Sequence, residues 1–253
     1  MPPIPEPRAA ATVLLLRDRA DGRFEVFMVQ RSMKSSFMPG AYVFPGGAVD
    51  PEDFDCEMTR SGGVEPAEAS ARFGGALDEP TALAHLAAAA REVAEEAHVH
   101  LPDISSMRVF SRWVTPAIES RRFDAWFLVD RMPRDAVPGH DDFETVASRW
   151  VEPRDALARY GDGDMVMAPP TYYTVWDLAR FDSVDDVLAD ASGRTVVPVQ
   201  PDFREVEGRW TILLPGDPLN PSETPVEGPT RIVMGEGGRW WVVDGTRSQL
   251  PAE

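Results

Sequence analysis

Residues 91–99, Arg-Glu-Val-Ala-Glu-Glu-Ala-His-Val, constrain this chain more than any other stretch. They close an alanine-rich run, residues 82–97, whose composition favours helix. On a helix Glu92 and Glu96 stand at i and i+4, with Glu95 beside them and Arg91 alongside. Like charges at that spacing destabilise an isolated helix. A divalent cation would offset the repulsion, and carboxylate oxygens are hard donors suited to Mg²⁺ or Mn²⁺ rather than Zn²⁺. Leu83, Leu86, Ala87, Ala90, Val93 and Ala97 make the apolar face, which leaves the carboxylates mostly on another. Taken alone, such glutamates would read as a solvated charged face.

The second half of the pattern lies upstream at Phe44-Pro45-Gly46-Gly47, after a short expected strand at 42–44. Alone it would be an ordinary turn, but glycine also lets backbone approach a cation or phosphate closely. Together the two stretches resemble the Nudix hydrolase signature, G-x5-E-x7-R-E-U-x-E-E-x-G-U, with U a bulky aliphatic. Gly47 opens it, and Arg91, Glu92, Val93, Glu95, Glu96 and Val99 match its closing block. Residues 54–90 occupy the place of seven in the pattern, so about thirty residues are inserted. Two positions depart from it. Asp53 replaces a glutamate that usually supports the site, and His98 replaces the glycine that ends the helix. His is among the residues enriched at positive φ when Gly is absent, so His98 is expected to cap the helix.

The resemblance implies roles. Glu92, Glu95 and Glu96 would ligate Mg²⁺ or Mn²⁺ with the carbonyl of Gly46. Glu92 would also orient or deprotonate water, and Arg91 would hold the carboxylates. Gly47 would line the phosphate site. Glu144, before Trp150-Val151, would complete the metal site or act as base, with Asp141 and Asp142 as nearby alternatives. Arg31, followed by Gly40-x3-Phe-Pro-Gly-Gly, resembles the coenzyme A diphosphatase pattern. The second arginine of that pattern is missing, and Phe37 falls near its place. Trp113-x-Thr115-Pro116 and Arg122-Phe123-Asp124 resemble the peroxisomal branch of those enzymes, which carries a comparable insertion. Arg31, with Arg122 or Arg112, would grip phosphate. An Arg122–Asp124 ion pair is the structural alternative.

The expected activity is metal-dependent cleavage of a diphosphate linkage in a nucleoside diphosphate derivative, CoA or acyl-CoA first. ADP-ribose, nucleotide sugars and dinucleoside polyphosphates are alternatives, as is a noncatalytic nucleotide-binding regulator. A net charge of −17 argues against nonspecific nucleic-acid binding. No apolar run reaches the ~18 residues of a membrane span. The single cysteine, Cys56, and the absence of a signal peptide fit a cytoplasmic protein. Exposed strand edges and family habit favour a homodimer.

The expected fold is α/β (α+β), a mixed sheet sandwiched between helices over residues 9–192. The insertion is taken as 54–80, with a short helix at 66–72. It is expected to form part of the substrate wall. Strands are predicted at 10–17, 24–31, 107–114, 123–129 and 146–151, and helices at 154–160, 170–180 and 184–191. Residues 1–8 are proline-rich and read as a disordered arm. Residues 193–250 read as a β-rich extension packed on the main domain, with short strands at 195–199, 210–214, 231–234 and 240–243.

Overall fold

The computed structural model describes residues 4–35, 38–140, 145–222 and 224–243. Two compact units emerge: a larger one of Ala9–Phe110 and Ala125–Val196, and a smaller one of Met1–Arg8, Ser111–Asp124 and Val197–Glu253.

The elements of the first part of the chain are β1 (Arg8–Asp18), β2 (Phe24–Arg31), β3 (Tyr42–Val43), β4 (Gly46–Ala48), a 3-10 turn (Pro51–Asp55), α1 (Glu57–Ser61), α2 (Pro66–Arg72) and α3 (Glu79–Ala97). They continue as β5 (Arg108–Val114), β6 (Phe123–Arg131), β7 (Thr145–Val151), α4 (Pro153–Asp162), α5 (Pro169–Leu178) and α6 (Val184–Gly193). The mixed α/β fold is the expected one. Its sheet runs β3-β2-β1-β6-β5, with β7 added to β2 and β4 to β1. Ala11, Val13 and Leu15 face the core that contains α3. Leu14 and Leu16 alternate to the reverse face and are equally buried, so both faces are covered. On the reverse face the Arg194 guanidinium lies 4.1 Å from the Phe110 ring.

β1 and β2 match the predicted strands at 10–17 and 24–31 and form a hairpin, paired antiparallel from Asp18↔Phe24 to Leu16↔Val26. Beyond that the strands splay. β2 takes β3 as partner (Val29↔Val43), while β1 takes β4 (Thr12↔Gly46, Ala11↔Gly47). The Val13 amide donates to the Pro45 carbonyl at 2.8 Å, closing the wedge. The glycine pair is therefore a strand inside the sheet, where sequence alone showed only a turn. A Cβ on Gly46 would fall 2.5 Å from the Ala11 carbonyl, so the close approach requires glycine. Because β4 is antiparallel to β1, it climbs toward the sheet end where β1 begins and β2 leaves.

Helix α3 starts on Asp78, whose side chain accepts from the Thr81 amide, and Pro80 sits in its first turn. It stops on His98 at φ 55°, the left-handed cap expected there. Its predicted amphipathicity is exceeded, because every residue from Ala82 to Ala90 is buried. The insertion explains this. Its helix α2 forms where expected and packs along α3. Phe73 meets Trp126 at 4.9 Å and His85 at 5.8 Å, both edge-on. Arg72 donates to the carbonyls of Ile104 and Met107, tying α2 to the segment after α3. The insertion is thus part of the core, and its ring contact falls on the N-terminal half of α3. The expectation that it forms a substrate wall did not anticipate this packing.

In the smaller unit β8 (Pro198–Val199) runs parallel to Arg112 and Trp113 of β5. A separate antiparallel sheet follows: β9 (Asp202–Val206), β10 (Arg209–Leu213), β11 (Arg231–Met234) and β12 (Trp240–Val243), in order β12-β11-β10-β9. β9 escaped sequence reading because an exposed edge strand of Asp-Phe-Arg-Glu-Val lacks clean alternation. Residues 1–8 were expected to form a disordered arm; of its described residues, Pro5 accepts from Arg122 at 2.8 Å through its carbonyl. Among the described residues no helix is long and apolar enough to cross a membrane.

If the insertion is core, Phe73→Ala should destabilise the protein by about 3–5 kcal/mol. A melting temperature lowered by roughly 6 °C or more is expected, and a drop under about 2 °C would contradict the packing role.

Candidate active site

The last two turns of α3 meet β4. Glu96 accepts a hydrogen bond from the Gly46 amide at 3.0 Å. A Cβ on Gly47 would fall 2.4 Å from Glu92 Oε1 and 2.6 Å from its Cδ. A side chain there would displace the carboxylate, so Glu92 keeps this position only with glycine at 47. The sequence pattern that joined residues 46–47 to 91–99 is thus a direct contact between helix carboxylates and strand backbone.

Arg91 is the hub of the arrangement. Its Nε and Nη2 donate to the two oxygens of Asp53 at 2.9 and 3.0 Å, a bidentate pair. Nη1 donates to Glu92 at 2.8 Å and to Glu95 at 3.2 Å. Nη2 also reaches the Ala48 carbonyl at 2.9 Å, tying α3 to the end of β4. Asp53 is 2% exposed and accepts from the Asp50 amide at 2.8 Å. An aspartate therefore fills the usual glutamate position while serving both Arg91 and the start of its own 3-10 turn. Hydrogen bonding to Asp53 raises the Arg91 pKa further above its ordinary range, against the opposing effect of burial. Burial pushes the Glu92 carboxyl up; the Arg91 guanidinium counters it, while Glu95 and Asp50 add to it.

The donor chemistry fits a hard divalent cation: Glu92, Glu95 and Glu96 present carboxylate oxygens, and the β4 backbone presents carbonyls. As placed, Arg91 bridges Glu92 and Glu95, and Glu95 is 59% exposed in its side chain. Among the described residues no three acidic, histidine or cysteine side chains already converge as a cation cage.

The remaining predicted residues divide. Arg31 ends β2, at the sheet end toward which β4 climbs, and its guanidinium donates to Ser35 Oγ at 3.2 and 3.0 Å. Arg122 belongs to the smaller unit and donates to the Thr115 and Pro5 carbonyls. The Asp124 carboxylate pairs with Arg112 at 2.8 and 2.6 Å instead of with Arg122. Phe37, Asp141, Asp142 and Glu144 lie outside the described residues. The chain on either side of the last three is placed: the Gly139 amide donates to the Ala97 carbonyl at the end of α3, and Thr145 pairs with Arg31. Sequence reasoning missed the Ala48 carbonyl and Asp50. Asp50 lies three residues before Asp53, and that spacing on a tight turn was the available signal.

Residues 7–97 match the NUDT19 Nudix domain family. Across most of its length the chain resembles two curated proteins called acyl-coenzyme A diphosphatase NUDT19. The Gallus gallus protein is 26% identical, over 90% of this chain and 83% of that one. The Homo sapiens protein is also 26% identical, over 78% and 72%. The fold matches the crystal structure of a NUDIX hydrolase from Alicyclobacillus acidocaldarius with a TM-score of 0.60. That match is 24% identical and covers 73% of this chain and 96% of that one. Residues 7–97 thus match a Nudix domain, and the chain is similar to hydrolases of the Nudix family. Its Nudix domain is of the NUDT19 kind.

Gly47→Ala tests the contact between β4 and α3. Its added methyl must push Glu92 aside, so hydrolytic kcat should fall at least about tenfold. Unchanged turnover in a steady-state assay would show that Glu92 is not held against Gly47 during catalysis.

Proposed function

We propose that this protein hydrolyses the diphosphate linkage of CoA or an acyl-CoA with the help of a divalent cation, Mg²⁺ or Mn²⁺. The observation that carries the catalytic part is the seating of Glu92 and Glu96 against the backbone of Gly46 and Gly47, with Arg91 locked to Asp53. The substrate class is supported by the relatives called acyl-coenzyme A diphosphatase, 26% identical over most of the chain.

Nudix hydrolases generally use divalent metals. Here Glu92, Glu95 and Glu96, with the Gly46 carbonyl, would hold the ion, which neutralises phosphate charge and polarises the attacked phosphorus. The remaining work belongs to the chain. Arg91, anchored by Asp53 and Ala48, fixes the carboxylates on one face of α3. Glu92 would also orient or deprotonate the attacking water. Glu144 is the second candidate for that proton, on its sequence position alone. Water oxygen bonds to one phosphorus as the bridging P–O bond breaks in line. The bridging oxygen leaves with the other phosphate, giving two phosphomonoesters. Arg31, and Arg122 on motif position, would grip phosphate, and Gly47 leaves room for it. The same proposal includes a homodimer in a cytoplasmic setting, without nonspecific nucleic-acid binding at a net charge of −17.

Purified protein with Mg²⁺ or Mn²⁺ should cleave CoA or acyl-CoA within a panel that also holds ADP-ribose, nucleotide sugars and dinucleoside polyphosphates. No cleavage of CoA beside robust cleavage of another member would reject the substrate reading. Glu96→Gln should abolish turnover with the fold intact, and activity within about threefold of wild type would sink its role. Mn²⁺ should raise the melting temperature, and replacing Glu92, Glu95 and Glu96 by glutamine should remove that rise. An equal rise in both proteins would place the cation elsewhere.

A further inference from the structure

We infer that Lys34, on the turn that follows Arg31, forms a subsite for a phosphate remote from the scissile linkage. For CoA that phosphate is the 3′-phosphate of its ribose. This rests on the CoA reading above and extends it to specificity.

CoA brings a diphosphate and a phosphomonoester to a chain of net charge −17. Outside the cation's immediate reach, such a ligand needs local positive groups. The chain holds 25 basic residues, and most described arginines near acids are already engaged: Arg17 with Glu25, Arg23 with Glu152, Arg91 with Asp53, Arg112 with Asp124 and Arg194 with Asp177. Arg122 lies in the smaller unit, where it donates to the Thr115 and Pro5 carbonyls. Lys34, the chain's single lysine, is exposed, and among the described residues its ammonium makes no ion pair.

Its turn is built to present it. The Lys34 amide donates to Ser32 Oγ at 3.2 Å, and the Ser35 amide donates to the Ser32 carbonyl at 2.9 Å. Ser35 Oγ in turn accepts from Arg31, so the guanidinium is tied to the turn that carries Lys34. The base of the loop is closed by the Gly40 amide on the Arg31 carbonyl at 3.2 Å and by the Gln30 side chain on the Gly40 carbonyl at 3.1 Å. The turn leaves β2 at the sheet end toward which Gly46–Ala48 climb. A ligand whose diphosphate lies at Gly47 can therefore extend toward Lys34. An exposed ammonium on a flexible stem suits a freely presented phosphomonoester, and arginine's rigid fork suits a bridged diphosphate.

The test compares CoA with dephospho-CoA on wild type and Lys34→Ala. KM for CoA should rise about fivefold, the upper end for an exposed ion pair, and KM for dephospho-CoA less than about twofold. Lys34→Arg should restore the wild-type value, and Lys34→Glu should widen the gap. Raising ionic strength should weaken wild-type CoA binding more than that of Lys34→Ala, because exposed charges are screened beyond about 8–10 Å. An equal rise for both ligands would mean that Lys34 acts on the diphosphate or the loop, and overturns the inference. No change while CoA is still cleaved overturns it too and leaves the CoA reading standing. Failure of wild type to cleave either ligand, with another diphosphate cleaved, removes both.

Discussion

Everything at the site follows from one contact: two glutamates of a helix pressed against the backbone of two consecutive glycines. Carboxylates at i and i+4 repel each other, and burial makes the charged form of Glu92 costlier still. The arrangement holds because Arg91 answers that charge from within the same helix. Arg91 is in turn fixed by a buried aspartate and by a carbonyl of the strand the glutamates face. Removing one partner of such a buried, bidentate pair leaves the other charge uncompensated, which costs more than the pair itself contributes. The site is therefore a closed chain of dependence running from Asp53 through Arg91 and Glu92 to Gly47.

That chain sets what the surrounding fold must do. The sheet must splay between β1 and β2 to admit the glycine strand, and α3 must be held at a fixed depth over it. The insertion between Asp53 and the helix contributes to the second requirement. Phe73 and Ala69 fill the core beside α3, and Arg72 fastens α2 to the carbonyls of residues 104 and 107. A segment that divides the signature in sequence thus supports the same helix in space. Extra residues in a loop cost little in closure entropy, and these recover that cost by burying apolar surface.

Much of this was legible beforehand. The spacing of Arg91, Glu92, Glu95 and Glu96 placed the carboxylates on a helix. The β-rich runs at 10–17 and 24–31 proved to be strands, and His98 proved to be the left-handed cap. Other features were hidden for physical reasons. Two glycines carry no periodicity, so β4 could only read as a turn. The all-round burial of residues 82–90 depends on α2, a partner that the helix's own pattern cannot announce. The pairing of Asp124 with Arg112 across a hairpin, rather than with its sequence neighbour Arg122, is set by strand register and not by proximity along the chain.

The most direct test is to locate the cation itself. Crystals of the protein soaked in Mn²⁺ can be measured for anomalous scattering at the manganese edge. The account predicts a peak at ligating distance, about 2.0–2.3 Å, from carboxylate oxygens of Glu92 or Glu96 and from the Gly46 carbonyl, with Arg91 still paired to Asp53. A strong peak elsewhere, with α3 and β4 undisturbed and these glutamates unliganded, would contradict it.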